Sequence, residues 1–368
     1  MNPIIDDITE ENGLLKFTLS GTNLSLANAL RRTIISNIRT VVFRTTPYEE
    51  NKCSIIVNTS RLNNEILKQR LSCIPIHITD PAFPIKDYIV EVNVSNNTDT
   101  IMYVTTGDFK IKNINTNEYL SEKDTREIFP RDEISGDFID FVRLRQRISD
   151  EIRGEQLHFI CELSVGTPKE DSMFNVASTC SYGYTLDVVA VDEELNKKSQ
   201  KWKDEGKSKE EIDFLKKDWK LLEAQRITKK DSFDFIIETV GVFTNQDLIK
   251  LACRYLKDRL EKLKTVIETN EIQITPSDST IKNCFDVLLE DDDYTIGKSL
   301  EFAMYSKFFE GTKSLTYCGY IKMHPHDPDS ILRVSYKEEI ADNSVVKQNM
   351  LECIEELKIV FDRISKKF

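Results

Sequence analysis

Ser25-Leu26-Ala27-Asn28-Ala29-Leu30 and Thr295-Ile296-Gly297-Lys298-Ser299-Leu300 share one pattern: hydroxyl, aliphatic, small, polar, small, leucine. The two copies lie 270 residues apart. An apolar run precedes each, with Leu15, Phe17 and Leu19 alternating before the first and Phe285-Asp286-Val287-Leu288-Leu289 before the second. Both runs predict a strand. Ser25 and Thr295 suit the N-cap, where a hydroxyl accepts from an orphan N–H of the first turn. Leu26, Leu30, Ile34 and Ile38 then recur every four residues, and Ile296, Leu300, Ala303, Met304 and Phe308 repeat the spacing. Each copy therefore predicts an amphipathic helix with one buried stripe.

A longer helix is predicted after each copy. The first runs from about Asn245 to Glu268 and carries Leu248, Leu251, Ala252, Leu256, Leu260, Leu263 and Ile267 on one side. The second starts near Ser344 and carries Val346, Met350, Cys353, Ile354, Leu357, Val360, Phe361 and Ile364. Phe233–Ile237 and Ile331–Val334 read as the strands before them. Each half thus reads strand, short helix, strand, long helix. Leu26 to Leu248 spans 222 residues and Ile296 to Val346 spans 50, so the first copy holds about 172 extra residues. Strand-like runs such as Tyr88–Val92 and Thr185–Val189 predict a mainly β inserted domain over 49–190. A charged linker with one or two short helices is expected over 191–228; Trp202 or Trp219 there offers an anchor for a partner.

Length and composition bound the function. The chain has 368 residues, enough for two or three domains, and a net charge of −12 that does not suit a protein gripping a nucleic-acid backbone alone. Met1–Asp7 shows no secretory signal, and no run reaches the roughly 18 apolar residues that span a bilayer. The expected location is intracellular, where the eight cysteines stay reduced. Cys53, Cys73, Cys161, Cys180, Cys253, Cys284, Cys318 and Cys353 form no C-x2-C pair, and they read as small buried hydrophobes. His324-Pro325-His326 reads as a loop, with no third ligand nearby. No metal and no cofactor are expected.

Enzyme motifs are scarce. Gly297-Lys298-Ser299 resembles the end of a phosphate loop, but the loop needs Gly at 292, where Asp stands. Asp291-Asp292-Asp293 has the chemistry of a Mg²⁺ site, yet negative charge at a helix entrance is favourable without a metal. A phosphotransferase built on 291–299 is the weaker reading. Arg31-Arg32 follows the apolar Leu30 in mid-helix; a solvated face explains it, as does a fork contact to a partner protein.

These segments together resemble the alpha-type assembly subunits of multisubunit DNA-dependent RNA polymerases. Ser25-Leu26-Ala27-Asn28-Ala29-Leu30-Arg31-Arg32 resembles the helix that opens their dimerisation domain. Asn58-Thr59-Ser60, Gln69–Ile76 and Ile237-Glu238-Thr239-Val240-Gly241 resemble further segments of the larger partner, the third subunit of polymerase II or its archaeal D-type equivalent. Asp293–Leu300, Gly319-Tyr320-Ile321-Lys322-Met323-His324-Pro325 and Ile331–Val334 resemble the smaller partner, the eleventh subunit or its archaeal L-type equivalent.

The resemblance implies that two normally separate subunits are joined, as in large DNA viruses that carry their own transcription apparatus. The implied fold is α+β: an intramolecular pseudo-dimer of two dimerisation units with a mainly β domain inserted in the first. The units are expected at 1–48 plus 229–270 and at 271–368. The expected core of the pairing is Leu26, Leu30, Ile34, Leu256, Leu260, Ile296, Leu300, Leu357 and Phe361. Asn28, Arg31 and Arg32 are expected to face a large subunit. The implied partners are the two large catalytic subunits and the small subunits, with nucleic acid reached only through the complex and no membrane contact. The implied role is scaffold for transcription, without an active site of its own; the site of action is host cytoplasm, virion or nucleus. The cluster of four cysteines that many relatives carry lacks its spacing here. A free-standing scaffold using the 192–230 stretch as partner site is the alternative.

Overall fold

Asn23 and Asp293 begin the two short helices, two residues before the expected hydroxyls. Asn23 Oδ1 accepts from Ser25 N at 2.8 Å, and Asp293 Oδ1 accepts from Thr295 N at 2.8 Å. Asn, Asp, Ser and Thr are all good caps, so the sequence offered two adjacent solutions and the carboxamide and carboxylate won.

The computed structural model describes residues 1–149, 151–339 and 342–368. The chain begins with β1 (Ile4–Glu11), β2 (Leu14–Ser20), α1 (Leu24–Ser36), β3 (Thr40–Val42), β4 (Cys53–Asn58) and α2 (Asn64–Ser72). It continues through β5 (Tyr88–Ser95), β6 (Met102–Thr105), β7 (Lys110–Asn113), α3 (Glu122–Ile128), β8 (Asp140–Leu144), β9 (Gln156–Glu162) and β10 (Ser164–Gly166). Then come β11 (Ala177–Leu186), α4 (Val188–Asp204), α5 (Lys209–Leu221), β12 (Thr228–Thr239) and α6 (Asn245–Glu268). The last elements are β13 (Ile274–Pro276), β14 (Cys284–Leu289), α7 (Tyr294–Met304), β15 (Leu315–Ile321), β16 (Ser330–Tyr336) and α8 (Ser344–Ser365). The class is α+β.

The chain divides into two compact units. One joins Met1–Ile34, Thr179–Glu238 and Asn245–Phe368; the other holds Ile35–Ser178 with Thr239–Thr244. The first unit contains two four-stranded sheets, ordered β1-β2-β12-β11 and β13-β14-β16-β15. Both have the same topology: an edge hairpin, a short helix after its second strand, a second hairpin, then a long helix. The extra strands of each hairpin are absent from the strand–helix–strand–helix reading, because β1 is mostly exposed and β13 is only three residues long.

Pairing across β2 and β12 sets Phe17 opposite Phe235, with stacked rings 5.0 Å apart. Across β14 and β16 the register pair Asp286–Arg333 is a bidentate fork at 2.6 and 2.8 Å. The long helices α6 and α8 pack on each other. Leu26, Leu30, Ile34, Leu256, Leu260, Ile296, Leu300, Leu357 and Phe361 are all buried.

The extra length of the first half is divided between two places. One is the stretch between α1 and β11, which forms the second unit. The other lies between β11 and β12, where α4 and α5 fold into a hairpin around Val191, Leu195, Trp219 and Ala224. The stretch 177–190 expected in the inserted domain therefore differs: β11 belongs to the first sheet, beside β12, and Val188 and Val189, expected in a strand, open α4 behind the N-cap Asp187. Alternation marks a strand but cannot say which sheet receives it. The stretch 191–228 is mostly helix, with Asp187 and Ser208 as N-caps. Trp219 is packed inside the hairpin and donates Nε1–H to Glu223 at 3.0 Å. In the second unit β4-β9-β5-β7 form a sheet around Phe43, Phe109, Phe129, Phe141 and Phe159.

Gly297 lies in α7 against Tyr320 of β15. A Cβ there would fall 1.9 Å from the ring carbon Cε2 of Tyr320. The glycine is needed for this close approach. Overpacking costs about 1–3 kcal/mol, while alanine returns about 1 kcal/mol of helix propensity. Gly297→Ala is expected to lower the melting temperature by about 2–6 °C, with partial recovery in Gly297→Ala/Tyr320→Leu. A higher melting temperature in the single variant would count against the contact.

Candidate subunit-docking site

The two short helices of the first unit, α1 and α7, bring the two copies of the repeated motif to one groove. Its volume is about 540 Å³, and Ser25, Asn28, Arg32, Tyr182, Tyr294 and Tyr305 line it. Three tyrosines beside an arginine make a surface of the kind that protein partners bury.

Asn28 and Arg31 stand one turn apart on α1. Arg31 Nε and Nη2 both donate to Asn28 Oδ1, at 3.1 and 3.0 Å. Arg32 is used differently from the expectation of a residue facing outward. Its Nε donates to Thr295 Oγ1 at 3.0 Å, and its Nη2 pairs with Asp293 Oδ2 at 3.0 Å. Thr295, expected as a cap, is thus the acceptor of this fork.

Arg259 of α6 makes a second contact to the same turn. Its Nη2 reaches Asp292 Oδ1 at 2.6 Å and the Asp291 carbonyl at 3.0 Å. Asp292 is almost fully buried, with its side chain 8% exposed. Burial pushes its carboxyl above the usual range, against the pull of Arg259. Burial acts in the same sense on Asp293, but hydrogen bonds from Thr295 and the charge of Arg32 bring that carboxyl below its usual value.

This geometry bears on the phosphotransferase reading. Lys298 is ion-paired with Glu301 on its own helix. Asp293 already occupies the free N–H of Thr295, and the Asp293 carbonyl accepts from Gly297 N at 3.0 Å. The glycine serves the Tyr320 ring. Among the described residues, no three His, Cys, Asp or Glu side chains gather as a metal site. His324 and His326 share a turn, where His326 N donates to His324 Nδ1 at 3.1 Å. The cysteines are free thiols; Cys73 is exposed, and Cys53 and Cys161 are buried opposite each other on β4 and β9. No described helix is long and apolar enough to cross a membrane.

Residues 16–260 match the family described as the RNA polymerase Rpb3/Rpb11 dimerisation domain. The chain belongs to this family. Among its relatives, subunit Rpo3 of a DNA-directed RNA polymerase from Pyrococcus horikoshii is 24% identical over 285 residues, covering 70% of this chain and 93% of the relative. A conjugation stage-specific protein of Tetrahymena thermophila is 24% identical over 306 residues, covering 69% of this chain and 92% of the relative. A subunit rpac1 of DNA-directed RNA polymerases I and III from Dictyostelium discoideum is 37% identical over 91 residues, 24% of each chain. The family match ends in α6, so β13 to α8 lie beyond it. As a member of the Rpb3/Rpb11 dimerisation family, the chain is of the non-catalytic, assembly type of polymerase subunit.

Sequence reasoning missed Arg259, Asp292, Asp293 and Tyr182 as members of this site. A signal did exist for three of them. The acidic turn precedes the second copy of the motif, whereas the arginines lie in the first half.

Removing one partner of a buried pair leaves an uncompensated charge and costs about 3–5 kcal/mol, whereas replacing both with apolar groups is close to neutral. Arg259→Ala is expected to lower the unfolding free energy by about 3 kcal/mol in urea titrations, and Arg259→Met/Asp292→Leu by far less. An Arg259→Ala effect under about 1 kcal/mol would contradict a buried pair.

The Arg32–Asp293 contact carries a pH signature. The folded carboxyl of Asp293 titrates below its unfolded value near 3.9, so its contribution is full above that value and is lost as pH falls through the folded value. The destabilisation by Arg32→Ala is expected to be full at pH 7 and to shrink below about pH 4. A penalty constant down to about pH 2 would assign it to packing.

Proposed function

We propose that this chain is the assembly subunit of a DNA-directed RNA polymerase, with two family-like units fused in one polypeptide and paired with each other. The observation that carries this reading is the repeated topology of β1-β2-β12-β11 with α1 and α6, and β13-β14-β16-β15 with α7 and α8. The second copy is the counterpart of the smaller subunit. The packing of α6 on α8 supports an intramolecular pseudo-dimer, whose tethering keeps the halves together at an effective concentration of about a millimolar or more.

In this reading the chain does no chemistry. It acts inside the cell as a platform on which the two large catalytic subunits assemble, and small subunits join them. Asn28, Arg31 and the aromatic groove form the docking surface; Arg32 holds the groove's shape from within. The unit over 35–178 is a separate inserted domain. The net charge of −12 fits a subunit held by protein contacts, with nucleic acid reached through its partners. The resemblance to fused viral subunits makes a viral transcription apparatus, acting in host cytoplasm, virion or nucleus, the setting of choice.

An affinity tag on the chain in its native cells is expected to recover both large subunits in one-to-one ratio, with no separate smaller alpha-like subunit. Asn28→Ala/Arg31→Ala is expected to reduce that recovery about tenfold, a loss of about 1.4 kcal/mol, without changing the melting temperature. Recovery of the chain alone, or with a separate smaller subunit, would overturn the fused-scaffold reading.

A further inference from the structure

The contacts between the two halves of the first unit fall into two kinds. The first kind is symmetric. A shift of 101 residues carries the buried row of α6 onto that of α8: Ile249 onto Met350, Ala252 onto Cys353, Leu256 onto Leu357 and Leu260 onto Phe361. The same shift carries Lys257 onto Lys358 and Glu261 onto Asp362. Two ion pairs between α6 and α8 obey it, Lys257 with Asp362 at 3.0 Å and Lys358 with Glu261 at 2.5 Å, whereas Lys264 with Glu355 at 2.9 Å does not, its counterparts being Ser365 and Arg254. Reciprocal contacts of this kind are the mark of a two-fold interface. They do not discriminate: either half meeting a copy of itself would again set lysine against carboxylate.

The second kind breaks the symmetry. Arg32 and Arg259 both come from the first half, and Asp292 and Asp293 both come from the second. The symmetric counterpart of Arg259 is Val360, and that of Arg32, by the 270-residue offset of the motif, is Phe302. The counterparts of Asp292 and Asp293 are Thr22 and Asn23. Thr22 is buried with its hydroxyl unpaired, and Phe302 lines the groove beside Ser25 and Asn28.

We infer that the Arg32–Asp293 and Arg259–Asp292 pairs determine partner choice: they make the first half select the second half over a copy of itself. The inference rests on the reading of two paired, family-like units. Two first halves brought together would set Arg259 against Thr22 and Arg32 against Asn23, with no carboxylate. Two second halves would bury Asp292 against Val360, with no cation. Each like pairing keeps the two reciprocal lysine contacts but forfeits both forks and the Lys264–Glu355 pair, and discrimination comes from the groups left unpaired in the wrong complex. The device keeps chains from joining through like halves when many are made at once.

The test uses the whole chain, nicked after folding. A protease site inserted after Asn270, in the exposed link between α6 and β13, divides the halves while leaving both sheets whole. Native mass spectrometry of the nicked protein, re-equilibrated in mild urea, is expected to show pairs of unlike halves only. The symmetrised variant Arg32→Phe/Arg259→Val/Asp292→Thr/Asp293→Asn is expected to give like pairs as well. A second variant, Arg259→Asp/Asp292→Arg, keeps the fork with its sense reversed. Mixed with nicked wild-type protein, it is expected to form cross-pairs at least about tenfold less than parental pairs. Abundant like pairs in the wild type, or cross-pairs equal to parental pairs, would overturn the inference while leaving the two-unit reading intact. Nicked wild-type halves that separate without pairing would overturn that reading, and the inference with it.

Discussion

The long helices α6 and α8 each bury one row of side chains, and a four-stranded sheet with one short helix has too little surface to cover such a row alone. Their packing on each other is the constraint on which the first unit depends. At about 25 cal/mol per Å² of apolar area, every large side chain removed from water there contributes about 1.5–3 kcal/mol. The short helices follow from it: once α6 and α8 are paired, α1 and α7 open on one groove, and the arginines of the first half reach the acidic turn of the second. Phe368 adds to the same closure, its ring 4.9 Å from that of Phe17 at an edge-on angle.

Elements with a long periodic record were legible. The helices starting at Asn245 and Ser344 have the expected bounds, because seven or more apolar positions at helical spacing leave no competing assignment. The repeated hexapeptide pointed to α1 and α7 as well. The cap positions were not legible, since each helix start offers two side chains of nearly equal capping strength. The strands β1 and β13 were missed for lack of a buried face of useful length. The division of extra residues between two places was hidden because a difference in spacing gives only a total. Trp219 and its neighbours lie in the charged stretch where one or two short helices are expected, and the capping box of Ser208 and Glu211 announces α5.

The candidate site was half legible. Asn28, Arg31 and Arg32 stood out as polar residues attached to a motif, and all three belong to the groove wall or its support. Their partners did not stand out, because Arg32 and Asp293 are 261 positions apart and only the fold joins them. By sequence the acidic turn suits a metal or the helix dipole. The structure gives it a third use, as the acceptor of two arginines from the other half of the chain. Within one short segment, burial raises one carboxyl and salt bridging lowers its neighbour, so consecutive aspartates do unlike work.

The hairpin of α4 and α5 packs around its own small core and is joined to the first sheet at the ends of β11 and β12. Its far turn carries Gly206 at a positive φ of 78°, with exposed residues on both sides. Exposed turns remote from packed surfaces accept inserted sequence well. This turn is therefore a natural handle for a fluorescent or affinity module.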